Sequence, residues 1–207
     1  MKKYILLIGI LYATNLCSQT QYQKGMQKAF QFWQTGKTTE ASQLFERIAK
    51  AETANWLPSY YAATLEILGA FGLKDEAKLT AKLNKAQAFL DDAKSVSENN
   101  PEILITQALL NTAYIAFDGQ KYGMTLSGTN AALYAKALQI APNNPRVILG
   151  KAEWDMGSAR FFGKPLTPYC NAIERAIELG KKEEVKEEFY PRFMLERAEQ
   201  VLKQCKG

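Results

Sequence analysis

The sequence predicts an all-α protein built from consecutive antiparallel helix pairs. From Gln21 onward, apolar residues recur three or four positions apart and almost nowhere alternate as they would in a strand. Glycine and asparagine interrupt this pattern at intervals, twice in the form Asn-Asn-Pro. The 207 residues, 47% hydrophobic and 23% charged, are typical of one globular domain.

Four apolar stripes support individual helices in chain order. The stripes are Leu44, Ile48 and Ala51; Leu65 and Leu68, before Phe71-Gly72 at a helix end; Leu83, Ala86, Leu90 and Ala93; and Leu104, Ala108, Ala113 and Phe117. Turns are predicted at Gly36, at Gly72, at 98–101, at 118–119, at 142–145 and at Gly180. The helices between these turns span roughly 13 to 20 residues, which is an ordinary helix length.

Internal repetition connects these helices into similar units. Residues 90–105 match residues 134–149 position for position, and both segments contain Asn-Asn-Pro. In such a turn the first Asn can end a helix in the left-handed conformation, while the second caps the next helix, which begins at Pro. Weaker copies of the repeated helix begin at Lys37 and at Tyr169. The predicted repeats are 22–55, 58–100, 101–144 and 145–181, followed by a capping helix at 190–205.

The repeat pattern, clearest at 133–146, resembles the tetratricopeptide repeat family. That resemblance implies a TPR-like α-solenoid, in which stacked helix pairs form a concave face lined by the first helix of each pair. The spacing from Pro101 to Pro145 is 44 residues, whereas the family repeats every ~34. The surplus is assigned to two inserted loops, Asp118–Gly128 and Phe161–Pro168. The whole chain also resembles small exported repeat proteins of Bacteroidota, which share the leader and a final helix ending near a cysteine.

The N-terminus is predicted to be a signal peptide of residues 1–18. Lys2 and Lys3 precede an apolar run from Tyr4 to Ala13, which is too short for the ~20 residues of a membrane span. We therefore expect a periplasmic or secreted protein without a transmembrane span once the signal is removed. Two alternatives are a lipoprotein anchored through Cys17 and an uncleaved N-terminal core helix.

The composition argues against the common catalytic chemistries. The sequence contains no histidine, which excludes Ser-His-Asp and Cys-His nucleophile pairs and the common zinc sites. No phosphate-binding glycine loop is present, and the mixed-charge run 181–188 is predicted to be a solvated linker or helix end. The net charge of +5, with interspersed signs, predicts no nucleic-acid partner. We expect a protein that is not an enzyme and has no cofactor or metal.

The leading hypothesis is a groove on the concave face that binds an unknown protein or peptide. The helical register places seven side chains on that face, although the same residues could instead pack between helices. They are Met26, Phe30, Trp33, Arg146, Leu149, Glu153 and Met156.

Two other functions remain open. The chain could carry a small apolar ligand beneath the inserted loops, where Tyr122 and Phe161 are the candidate contacts. It could also be an enzyme whose site lies in the 118–128 insertion, with Tyr122 or Tyr169 as the acid.

The final prediction from the sequence is a disulfide between Cys170 and Cys205. If Cys17 leaves with the signal peptide, two cysteines remain in an oxidising compartment. An antiparallel arrangement of helices at about 166–180 and 191–205 would bring them within about one turn of each other. Two free thiols are the alternative.

Overall fold

The computed structural model describes residues 21–185 and 187–207, and these residues form helices without any strand. The all-helical prediction is therefore confirmed for this part of the chain, whereas the predicted signal peptide, including Cys17, lies outside it. Helix α1 spans 21–34. The others are α2 (Thr38–Ala51), α3 (Trp56–Leu68), α4 (Glu76–Val96), α5 (Pro101–Phe117), α6 (Gly119–Ile140), α7 (Pro145–Phe161), α8 (Cys170–Lys181) and α9 (Leu195–Lys206), with a 3-10 turn, Thr167–Tyr169, before α8.

Side-chain caps define where helices α3 to α7 begin. In each case an Asn or Asp oxygen accepts a hydrogen bond from a backbone N–H two or three residues later, which satisfies a donor that the helix cannot pair. The caps are Asn55, Asp75, Asn100, Asp118 and Asn144. Pro101 and Pro145 occupy the first helical positions, as predicted. The first Asn of each turn, Asn99 or Asn143, does not end a helix in the left-handed conformation as predicted, because among the described residues Phe189 alone besides glycine has a positive φ.

The helices pack in neighbouring pairs, and each odd-numbered helix from α3 onward also contacts the next odd-numbered helix. Helix α3 contacts α4, α5 contacts α6, α7 contacts α8, and α8 contacts α9. Contacts also join α3 to α5, α5 to α7, and α7 to α9. Alanines are fully buried where paired helices approach closely, which lets the backbones come near each other; they include Ala41, Ala86, Ala108, Ala137 and Ala176.

The prediction that Asp118–Gly128 is a loop is wrong, because this segment is the N-terminal half of α6. The Asp118 carboxylate accepts hydrogen bonds from the backbone N–H groups of Gln120 and Lys121, and so starts the helix directly after α5. Each internal glycine costs about 1 kcal/mol relative to alanine. Packing of α6 against α5 offsets that cost, with Asn130 fully buried between them.

The second insertion contains the loop that the sequence predicts. Helix α7 ends at Phe161, and residues 162–166 are non-helical, with Gly163 at φ 64°. The left-handed backbone at that position suits glycine because it has no side chain to clash.

The C-terminal helix is joined to α8 by a disulfide between Cys170 and Cys205, whose Cα atoms lie 5.7 Å apart. Helix α9 starts at Leu195, later than the predicted position near 191, and α8 starts at Cys170 rather than near 166. Residues 191–194 are non-helical and Pro191 is buried. The Phe193 ring packs over Gly180, where a Cβ atom would lie 2.0 Å from it. Among the helices of the described residues, none combines the length and apolarity needed to cross a membrane.

Candidate functional site

The predicted groove residues lie on α1 and α7, which are first helices of their pairs, but much of that surface is covered. Met26 is fully buried in the core, and Leu149 and Met156 are buried against α8 and α9. Phe30 and Trp33 are half-buried, with their rings stacked 6.3 Å apart. The Glu153 carboxylate accepts from Arg197 of α9 at 2.6 Å, so α9 covers this part of the face.

Part of the chain's own linker between α8 and α9 covers Phe30 and Arg146 of the groove. We call residues Glu187–Pro191 the strap. The Phe189 ring stacks on Phe30 at 5.8 Å and meets Tyr22 edge-on at 5.7 Å. Tyr190 meets Trp56 edge-on at 5.8 Å. The strap was not predicted, because the mixed-charge run 181–188 indicates a solvated linker. The adjacent aromatic residues Phe189 and Tyr190 are the signal in the sequence that this segment is partly buried.

Arg146 connects the strap to the helices beneath it. Its Nε donates to Glu102 at 2.9 Å, another guanidinium nitrogen donates to Glu183 at 2.7 Å, and the guanidinium lies 5.5 Å from the Tyr190 ring centroid. Burial acts to lower the pKa of Arg146, but Glu183 and Glu102 outweigh it and raise the pKa above its usual value. The guanidinium therefore stays charged, and it neutralises Glu102, which is fully buried.

A different surface carries the exposed aromatic side chains. Phe71, Phe117 and Phe161 lie at or just after the C-terminal ends of α3, α5 and α7, and Phe162 follows Phe161. We call these four residues the aromatic edge. Phe71, Phe161 and Phe162 are 39%, 73% and 66% exposed. Solvent contact with several large rings costs free energy unless a ligand or partner covers them.

The aromatic edge is continuous along the ends of the three helices. Phe71 and Phe117 line a shallow cavity of about 250 Å³ together with Leu79 and Ala113. Next to Phe117, Gly119 lies beneath the ring of Phe161, whose Cε2 is 3.8 Å from the place of a Cβ atom. The repeat register held a signal for this surface, because Phe117 and Phe161 are 44 residues apart, as are Pro101 and Pro145.

Basic side chains accompany the exposed rings. Lys74 lines the same cavity as Phe71, and Lys164 Nζ lies 5.7 Å from the centroid of the Phe162 ring. None of the ion pairs found among residues 21–185 and 187–207 involves Lys74 or Lys164. The edge therefore combines apolar rings with positive charge.

A second cavity of about 250 Å³ lies between α4, α5 and α6, and Tyr114, Tyr122 and Asn111 are among its lining residues. Tyr122 Oη donates to Glu76 Oε1 at 2.6 Å. That hydrogen bond raises the pKa of Tyr122, which makes the phenol a poorer acid. Tyr169 lies partly buried against the α7–α9 core. Within the described part of the chain, no cluster of three or more His, Cys, Asp or Glu could hold a metal ion.

These features define an all-helical protein of paired helices with one covered groove and one exposed aromatic edge. No protein-family model matches the sequence, and neither does any curated protein. Among solved structures, the fold is similar to that of the HusA haemophore from Porphyromonas gingivalis, with a TM-score of 0.78 and 23% sequence identity. The match covers 89% of this chain and 92% of the haemophore. The two proteins thus share their fold over nearly their whole lengths.

Proposed function

We propose that this chain is a non-enzymatic carrier that binds a small, flat, apolar ligand with acidic groups at the aromatic edge. The observation that carries the proposal is the exposure of Phe71, Phe161 and Phe162 along one end of the helix pairs. Binding sites for small molecules are mostly apolar and aromatic, with a few charged groups that orient the ligand. Lys74 and Lys164 supply the charges here.

The ligand class that we favour is a porphyrin, with haem as the first candidate. The similar fold of the HusA protein, a haemophore, supports this choice. A porphyrin is a flat apolar ring with carboxylates at its rim, so it could stack on Phe161 or Phe162 while Lys164 pairs with a carboxylate. The sequence has no histidine, so no imidazole can bind the iron, and we propose that stacking on the rings supplies most of the affinity.

We also propose the finer architecture and location that the sequence predicts. A TPR-like solenoid is supported by an ion pair that joins the first helices of two successive helix pairs. Arg146 of α7 pairs with Glu102 of α5. The link between Arg197 of α9 and Glu153 of α7 extends the same progression to the capping helix. Export to the periplasm or beyond the cell is supported by the leader sequence, and a disulfide suits such an oxidising compartment.

Ligand titration of an aromatic-edge variant tests the carrier proposal. Replacing Phe161 and Phe162 by alanine removes two exposed rings without opening the core, so we expect haem to bind at least about tenfold more weakly, equivalent to a loss of about 1.4 kcal/mol. The measurement is absorbance titration with haem. Ile140→Ala is the matched control because this residue is 42% exposed but lies at the opposite end of α6.

Metal-free protoporphyrin separates ring binding from iron coordination in the same assay. Binding through the rings predicts similar dissociation constants for haem and for the metal-free compound. A double variant that binds haem as tightly as the Ile140→Ala control would contradict the assignment of the site to this edge.

A further inference from the structure

The strap is held by helices that are far from it in sequence. The Tyr61 hydroxyl of α3 donates to the Phe189 carbonyl at 2.6 Å, and Gln23 Nε2 of α1 donates to Glu188 at 2.7 Å. Burial raises the pKa of Tyr61, so its hydroxyl keeps the proton that this hydrogen bond needs. A bound peptide is expected to make the same kinds of contact, namely hydrogen bonds to its backbone and to its side chains, next to aromatic rings that become buried.

Phe189 occupies an aromatic box. Its ring contacts Phe30 and Tyr22, and Tyr61 closes the other side of Phe30 with a centroid distance of 4.7 Å. Among the described residues, Phe189 is the only one besides glycine with a positive φ, at 63°. A bulky residue in that conformation is strained. The contacts with α1 and α3, rather than the local preference of the chain, therefore determine its conformation.

Tyr190 lies in an adjacent slot between Trp56 and Arg146. Its hydroxyl is 3.5 Å from Glu102 Oε1 at the bottom of this slot. The second oxygen of Glu102 is buried and has no hydrogen-bond partner among the described residues. The slot thus presents a ring wall, a cation and a buried carboxylate, which together select an aromatic side chain with a hydroxyl.

We propose that the face formed by α1, α3 and α5 is a peptide-recognition surface, and that the strap is its built-in occupant. The surface recognises an acidic residue, then two aromatic residues, then proline, as Glu188-Phe189-Tyr190-Pro191 presents them. The external partner that fits is a protein segment of the same chemistry, which binds when the strap is displaced. This site is separate from the aromatic edge and does not depend on the carrier proposal.

The covalent structure explains why the isolated chain keeps this surface closed. The strap lies within the segment that the Cys170–Cys205 disulfide closes, at a sequence separation of 35. A tethered ligand has an effective concentration of about 1 mM or more, so it competes strongly with a free peptide. A partner segment therefore gains access mainly when the anchors of the strap are weakened.

Binding of a strap peptide in trans tests the proposal. The probe is a synthetic peptide with the sequence of residues 183–193, and the protein is the full chain with Phe189 and Tyr190 both replaced by alanine. Fluorescence of Trp56, which faces Tyr190, reports binding. We expect a dissociation constant of about 10 to 100 µM for this variant and at least about tenfold weaker binding to the wild-type chain.

The control peptide carries alanine at both aromatic positions, and it should not bind. Failure of the double variant to bind the strap peptide while keeping wild-type helicity would overturn the proposal. Equal binding of the two peptides would overturn it as well, because recognition would then not depend on the aromatic residues.

Limited proteolysis keeps the test decisive if the double variant does not fold. Chymotrypsin should cleave the wild-type chain after Phe189 at least about tenfold more slowly than it cleaves the Tyr61→Phe chain, which loses only the hydroxyl that holds the Phe189 carbonyl. Cleavage of the wild-type strap at the rate of an unfolded chain would show that the surface does not hold it.

Discussion

The buried ion pair between Arg146 and Glu102 makes a large part of the stability depend on one side chain. Replacing Arg146 by methionine keeps an apolar stem but leaves the Glu102 carboxylate fully buried. Among the described residues, Asn144 and the more distant Tyr190 hydroxyl would then remain to donate to it. Losing one partner of a buried ion pair costs about 3–5 kcal/mol. The lost contact with the Tyr190 ring adds ~1 kcal/mol.

We therefore expect Arg146→Met to lower the free energy of unfolding by about 4–6 kcal/mol, measured by urea denaturation with far-UV circular dichroism. The free energy of unfolding of an ordinary domain is about 5–15 kcal/mol, so a loss of this size would be measured readily. Arg175→Met is the matched control, because the exposed Arg175 guanidinium donates hydrogen bonds to Pro142 and Asn143 at a surface turn.

A double variant separates the effect of charge from that of packing. If the cost comes from an unpaired buried carboxylate, Glu102→Gln combined with Arg146→Met should recover about 2 kcal/mol relative to Arg146→Met alone. A free energy of unfolding for Arg146→Met within about 1 kcal/mol of the Arg175→Met control would contradict this assignment. Simple additivity of Glu102→Gln and Arg146→Met would contradict it as well.

Three further predictions concern other parts of the molecule. Replacing Cys170 and Cys205 by serine should cost about 4 kcal/mol on the chain-entropy model for a loop of this length, and reductant should reproduce that loss in the wild-type chain but not in the variant. Burial acts to raise the pKa of Glu66, but hydrogen bonds from Lys82 and Ser42 outweigh it and the pKa lies below its ordinary value of 4.5. Glu66 thus contributes stability at neutral pH, and this stability is lost as the pH falls through the lowered pKa. We expect Glu66→Gln to lower the free energy of unfolding by about 1–2 kcal/mol at pH 7 and by progressively less below about pH 4, measured by denaturation curves. Asp118→Ala should cost ~1 kcal/mol and speed amide hydrogen exchange at the start of α6; unchanged exchange there would contradict the capping role.

Much of the helical architecture could be predicted because its causes are local. An Asn whose side chain caps a helix, followed by Pro at the first helical position, acts within three or four residues, so Asn100 and Asn144 could be read directly. The loop prediction for Asp118–Gly128 was wrong because the contacts that stabilise a helix there are not local. Glycine lowers helix propensity locally, but burial of Asn130 against α5 supplies free energy that no local pattern displays.

The sequence by itself determined the helical class, the positions of most turns and the exclusion of histidine chemistry, since each follows from residue type and short-range spacing. Only the tertiary structure decided which surface is open. Phe30 and Phe189 are 159 positions apart, and nothing in either neighbourhood indicates that one covers the other. The repeat register aligns Phe117 with Phe161 in the sequence. Helix packing decides that these two residues and Phe71 lie at one edge and that the rings of Phe71 and Phe161 stay exposed there.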